Sequence, residues 1–156
     1  MNNHDIDKVE FIIEGGTYTE YPKSYLETFH RDLIYAVNTY FDEIKRKPYP
    51  IEKEIEINAT APIKIVGICI ETRPDALIRS NGLSWLPLFR QWGVTRVQLG
   101  VQHTSNAILK KVNRGHTIQQ AVNAIEYLKD NGFKVDIHIM PDLPGSTPEK
   151  DTKMML

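Results

Sequence analysis

Apolar positions along the chain follow two rhythms, one of strands and one of helices. The densest run spans 63–70, where Ile63, Ile65, Val66, Ile68 and Ile70 enclose Gly67 and Cys69. Consecutive β-branched and small residues predict a strand buried on both faces, as a covered parallel sheet requires. The run ends in Glu71-Thr72-Arg73-Pro74-Asp75. Pro74 has no N–H and biases Arg73 away from helix, so the ladder is expected to stop where the charges begin. Charge at the C-terminal end of a buried parallel strand is where α/β folds place their chemistry, although ordinary turns use the same residues.

Three other segments read as strands, at 8–14, 95–102 and 134–140. The first runs directly into Gly15-Gly16-Thr17, either a tight strand-to-helix turn or a place where a ligand approaches the main chain. Between the strands lie helical patterns. Residues 23–44 place Leu26, Phe29, Leu33, Val37, Tyr40 and Phe41 on one side, with Pro22 and Ser24 suited to the start. Pro48 and Pro50 break that pattern. Residues 51–61 fit either a strand, through Glu54-Ile55-Glu56-Ile57, or a helix with Ile51, Ile55 and Ala59 on one face; the helix is taken. A short helix is predicted over 83–93, closed by Gly93, and another from a Ser105 cap to Val112. Thr117 caps an amphipathic helix with Ala121, Ile125 and Leu128 inward, stopped by Asn131-Gly132. The residues after Gly145 show no element of their own.

Four strands separated by helical segments are the signature of a parallel sheet with right-handed crossovers. Every strand then ends on one side. Gly15-Gly16-Thr17, Glu71, Gln102 and the segment from His138 to Gly145 converge at one rim, and together they point to a ligand site.

Composition narrows the function classes. The chain has 156 residues, 41% of them hydrophobic, enough for one core and one domain over 1–156. A net charge of −1 gives no basic field for nucleic acid, and the clusters Lys45-Arg46-Lys47 and Lys110-Lys111 with Arg114 read as solvated faces. The one cysteine, Cys69, excludes an internal disulfide and a cysteine-rich metal site made by this chain alone; its place in the apolar run makes it a core residue. No segment reads as a membrane span or a signal peptide, so a soluble, cytoplasmic chain is expected.

Five ordered motifs carry a resemblance. Gly15-Gly16-Thr17, Glu71-Thr72-Arg73-Pro74-Asp75, Gly100-Val101-Gln102, Asn113-Arg114-Gly115-His116-Thr117 and His138-Ile139-Met140-Pro141-Asp142-Leu143-Pro144 closely resemble the radical S-adenosylmethionine domain of the Elongator complex protein 3 family, from about residue 5 to residue 151. That family contains the catalytic subunit of Elongator, which modifies the wobble uridine of transfer RNA. The resemblance implies an α/β fold, a partial parallel (βα) barrel truncated at both ends. It also implies that Gly15, Gly16 and Thr17 meet the amino group of S-adenosylmethionine with their backbone and that Glu71 accepts the same ammonium. Arg114 would hold the methionine carboxylate through its planar fork. Gln102 would bond the ribose, and His138 stands where some relatives carry an aspartate for that ribose. Arg73 and Asp75 would tie the rim together as an ion pair.

The departures are equally informative. Such a domain begins with a strand and a three-cysteine loop that hold a [4Fe-4S] cluster, and the cluster needs thiolates that this sequence does not offer. The family's acetyltransferase domain, which uses acetyl-CoA, is also absent. One reading is therefore a split or truncated enzyme completed by a separately encoded segment or by Elongator-like subunits, acting on tRNA. Another is a non-catalytic module that binds S-adenosylmethionine, tRNA or a protein. A third is an inactive remnant, against which the intact spacing of the motifs speaks.

Overall fold

A computed structural model describes residues 6–79 and 85–156. The start of the chain and the beginning of the segment expected as a helix over 83–93 lie outside the described residues. Four strands form one parallel sheet in the order β1 (Lys8–Ile13), β2 (Lys64–Thr72), β3 (Arg96–Gln102) and β4 (Lys134–Ile139). They pair in parallel register, Ile13 with Ile70, Thr72 with Leu99 and Gln102 with Ile139, so all four C-terminal ends share one edge. The parallel α/β sheet expected from the alternation is present.

The helices in chain order are α1 (Lys23–Asn38), α2 (Ile51–Asn58), α3 (Pro74–Arg79), α4 (Leu86–Gln91), α5 (Asn106–Lys111), α6 (Ile118–Asp130) and α7 (Pro148–Met155), with a 3-10 turn at Tyr18–Glu20 after β1. Leu26 and Ile34 of α1, Leu86 and Phe89 of α4, and Ala121, Ala124 and Leu128 of α6 form one core with Ile68, Ile70, Val97, Leu99 and Val101 of the sheet. The opposite sheet face is polar. Cross-strand pairing sets Glu71, Gln98 and Asp136 in one row and Ile12, Cys69 and Arg96 in the next. On it, Arg96 bonds Asp136 at 3.0 Å, and Ile12 is 56% exposed. β2 is buried on both faces from Gly67 to Ile70, as the apolar run predicts, whereas Lys64 and Val66 before it are exposed. Cys69 is buried, as its sequence context implied.

Four expectations are corrected. β2 continues through Glu71 and Thr72, which pair with Gln98 and Leu99. Pro74 does not end the strand; it is the first residue of α3, where a missing N–H costs nothing. α1 stops at Asn38 rather than reaching Ile44, because the Lys45 ammonium takes the carbonyls of Thr39 and Tyr40 and the Thr39 hydroxyl donates to the Tyr35 carbonyl at 2.9 Å. Tyr40, Phe41 and Ile44, expected to face the core or close the helix, are exposed. Ser105 precedes α5 but makes no side-chain cap. The tail after Gly145 holds α7, with the Thr147 hydroxyl accepting from Lys150 N–H and Pro148 in the first turn. By contrast, Thr117 forms the full capping box with Gln120.

Arg46 is no solvated cation. It makes two bonds to Glu54, at 2.6 and 2.8 Å, and its guanidinium lies over the rings of Tyr35 and Tyr49. Glu54 is fully buried and also accepts from Asn38 Nδ2 and Tyr49 N–H, each at 2.8 Å. The carboxylate therefore joins α1, the proline-rich connection and α2. Burial pushes its pKa up, yet the bonds from Arg46, Tyr49 and Asn38 outweigh burial and hold it below the usual range. A depressed folded-state pKa stabilises above the unfolded value and is lost as pH falls through the folded one. We expect Glu54→Gln to cost about 1.5–3 kcal/mol near neutral pH, the range for hydrogen bonds to charge. Below about pH 4 the difference from the parent should shrink, as read by urea denaturation at both pH values. Equal stability near neutrality would refute this.

Candidate ligand site at the strand ends

The rim begins where β1 ends. Gly15 and Gly16 have φ of +112° and +118°, values that side chains with a Cβ rarely adopt, while the space beside both is open. The pair turns the chain sharply into the 3-10 turn, which the Thr17 carbonyl opens by accepting Glu20 N–H at 3.0 Å. Gly15 and Gly16 line a cleft of about 240 Å³ with Glu71, Tyr18 and Tyr25 among its walls; Thr17 does not line it.

Glu71 connects this cleft to the rest of the rim. Its Oε1 lies 3.3 Å from His138 Nδ1, across the face from β2 to β4. Both side chains remain partly open, 28% and 41% exposed respectively. Beside Glu71, the Thr72 hydroxyl meets the Thr19 hydroxyl at 3.1 Å and ties the 3-10 turn to β2.

Gln102 and Arg114 form the second half. Gln102 has φ +70°, and His103 N–H bonds back to the Val101 carbonyl at 2.9 Å, so a γ-turn closes β3 on Gln102. Arg114 is set by the end of α5: Asn113 sits in the left-handed region with φ +56°, Asn113 N–H bonds Lys110 O and Arg114 N–H bonds Leu109 O. That pair of bonds is a Schellman cap. Arg114 Nη2 then donates to the Gly100 carbonyl at 2.8 Å. A Cβ on Gly100 would stand 3.0 Å from Arg114 Nη2 and 3.3 Å from Gln102 Nε2, so glycine is what lets both side chains approach β3.

Arg114 is left without a counter-ion. Its Nε is buried with no hydrogen-bond partner, and among the described residues no carboxylate lies within ion-pair distance of it. Burial first, then the neighbouring Arg73 charge, disfavour its charged form, and only Glu71 favours it. The arrangement suits an anionic group. Arg73, as expected, is instead paired with Asp75, through two bonds of 3.0 and 2.8 Å.

Two residues that shape the site were given no role by the sequence, His116 although it stands in one of the five motifs and His30, which stands in none. His116 Nε2 donates to the Val101 carbonyl at 3.1 Å, and its Nδ1 lies 3.9 Å from Asp75, which anchors the Arg114 loop against β3 and α3. Burial pushes its pKa down, against the Val101 carbonyl, with Arg114 and Arg73 adding to the lowering. His30 is fully buried in α1, hydrogen-bonded to the Tyr18 hydroxyl and stacked on Trp92 at 5.7 Å. It pins the turn after Gly16 to the core. Its spacing, four residues from both Leu26 and Ile34, carried the signal.

Among the described residues no group of three His, Cys, Asp or Glu could hold a metal ion, and burial pushes the Cys69 thiol up to about 11. These residues do not fit an iron–sulfur cluster. No helix among the described residues is long and apolar enough to cross a membrane.

A family model described as the Radical SAM superfamily matches residues 3–155. The tRNA uridine(34) acetyltransferase of Methanocaldococcus infernus is 40% identical over 151 residues, 97% of this chain and 26% of that protein. Elongator complex protein 3 of Dictyostelium discoideum is 36% identical over 148 residues, 95% of this chain and 25% of that protein. The chain thus spans about a quarter of the length of these curated relatives. Among solved structures, Methanocaldococcus infernus Elp3 with an N-terminal deletion superposes with a TM-score of 0.85 at 39% identity, covering 97% of this chain and 33% of that one. Coproporphyrinogen III oxidase from Escherichia coli shares the fold, with a TM-score of 0.63 at 20% identity over 95% of this chain and 28% of that one.

The buried histidine gives the site region a pH dependence. Burial lowers the His30 pKa from 6.5 to about 4, against a hydrogen bond to Trp92. The unfolded chain takes up that proton first, so the contribution is intact above about 6.5 and fades as pH falls towards about 4. Urea midpoints measured across this window should fall for the parent and fall less for His30→Gln, which keeps an acceptor for Tyr18. Parallel pH profiles for the two proteins would show that His30 does not carry the effect.

Proposed function

The chain belongs to the Radical SAM superfamily, and we propose that its strand-end rim binds the amino-acid end and ribose of S-adenosylmethionine within an enzyme that modifies the wobble uridine of tRNA. The observation that carries this reading is the uncompensated Arg114 beside Glu71. A free amino acid presents one carboxylate and one ammonium. Arg114 offers a planar fork for the first, and Glu71, on the neighbouring strand end, accepts from the second.

The remaining assignments follow from placement. Gly15 and Gly16 form the turn beside Glu71 and take the ammonium from the other side, while Thr17, outside the cleft wall, closes that turn through its carbonyl. Gln102, whose amide stands next to Arg114 across Gly100, bonds the ribose, and His138 supports it from β4 while holding Glu71. In loaded members of such a family the cofactors supply the redox chemistry and the protein positions them. Here the named residues bind and orient.

The tRNA uridine substrate and the Elongator context come from the names of the relatives, and acetyl-CoA as the donor comes from the motif resemblance alone. We place the protein in the cytoplasm as one partial domain over 1–156. The thiolates that a [4Fe-4S] cluster needs would come from a complementing segment or another chain, since Cys69 cannot supply them.

Calorimetric titration of S-adenosylmethionine into the chain tests the proposal. Arg114→Ala should weaken binding by about 1.5–3 kcal/mol, roughly tenfold to a hundredfold. Arg114→Lys should recover only part of this, because an ammonium keeps the charge and loses the fork. An affinity unchanged in Arg114→Ala would remove Arg114 from the site, and a parent that does not bind would end the reading.

A further inference from the structure

The end of the chain holds a polar cluster that the proposed site does not use. Asp151 of α7 is buried, at 8% exposure. Its Oδ1 accepts from the Ser146 hydroxyl and lies 3.4 Å from His103 Nε2, while its Oδ2 accepts from Asp142 N–H at 2.8 Å. His103 is 1% exposed. Its Nδ1 accepts from Ser105 N–H at 2.9 Å, so the ring proton sits on Nε2 and points to Ser146 Oγ, 3.3 Å away, and to Asp151. Ser146 N–H closes a turn onto the Leu143 carbonyl at 2.8 Å.

What these side chains hold is the backbone of the rim. Gln102 and Asp142 are both non-glycine residues in the left-handed region, with φ of +70° and +61°. Asp142 is bonded to Asp151 directly. Gln102 adjoins His103, whose N–H closes the γ-turn and whose ring is fixed from both nitrogens. Met140 N–H bonds the Gln102 carbonyl at 2.7 Å, where the β3–β4 register breaks. Backbone in sparsely populated regions persists only where its surroundings over-determine it. A single carboxylate reaching both strand ends meets that condition.

We propose that Asp151, acting through Ser146 and His103, is a positioning residue that latches α7 onto the ends of β3 and β4 and keeps Gln102 in the left-handed conformation that presents its side chain at the rim. The consequence for binding rests on Gln102 as a ligand contact; the latch does not. If α7 were merely docked by these bonds, breaking them would lower stability without regard to residue 102. If they enforce strain at Gln102, relieving the strain by glycine and breaking the latch must be coupled.

The experiment is a four-protein cycle of the parent, Asp151→Asn, Gln102→Gly and the double variant, read by thermal melting. Glycine's effect on the unfolded chain cancels between backgrounds. The effect of Gln102→Gly on the midpoint should be more favourable in the parent than in Asp151→Asn by roughly 2–4 °C. Additive shifts overturn the latch. Should Asp151→Asn fail to fold, Ser146→Ala replaces it, removing one arm and leaving the carboxylate. Titration with S-adenosylmethionine then separates the two claims. Several-fold weaker binding in Asp151→Asn or Ser146→Ala supports positioning, and unchanged affinity in both overturns it. If the parent binds no S-adenosylmethionine, the ligand reading falls, and the melting cycle alone decides the latch.

Discussion

Parallel pairing of β2 with both of its neighbours is the constraint from which the rim follows. Strands that run in one direction end on one edge, and each connection must return through a helix. The returning helices lie on one face, where Ile68, Ile70, Val97 and Leu99 meet them. The other face is therefore free to carry Arg96, Gln98 and Asp136. A glycine turn, a carboxylate, a strained glutamine and a histidine share one edge because they lie at the C-terminal ends of four strands of like direction.

Partly buried and buried charges in this chain fall into two kinds. Glu54 and Asp75 are saturated: the first by Arg46, Asn38 and Tyr49, the second by Arg73 with His116 nearby. Each costs desolvation and is compensated within the fold, and each joins segments distant in sequence. Arg114 is the exception, held in place by its own backbone cap and one carbonyl, with its charge opposed by Arg73. A buried guanidinium nitrogen without an acceptor, on an arginine that has no carboxylate within ion-pair distance among the described residues, is suited to an anion from outside the chain.

The strands, the glycine turn and the capped helix α6 were legible because each rests on local chemistry: apolar runs, paired glycines, and Thr117 three residues before Gln120. α7 was not, because an apolar stripe is the usual signal and this helix is docked chiefly through Asp151. The end of α1 was also hidden. Its pattern runs on through Tyr40 and Phe41, and only the fold brings Lys45 back to cap the carbonyls. At the site, the residue types at the rim could be read from the sequence, but not the left-handed backbone at Gln102, which no glutamine announces. Nor could the missing counter-ion of Arg114 be read, since it is a property of neighbours from other strands.

The Schellman cap at Asn113 makes α5 a spacer of fixed length. Arg114 takes its direction from the last turn of that helix, and Gln102 takes its own from the end of β3. Adding or removing one residue within Asn106–Lys111 would swing the guanidinium by about 100° and shift it about 1.5 Å along the axis. Substitutions on the outer face of α5 leave that geometry alone, whereas any change in its length detunes the pair. The distance along the chain from Gln102 to Arg114 is thus a mechanical dimension of the site, set by helix pitch rather than by any side chain that touches a ligand.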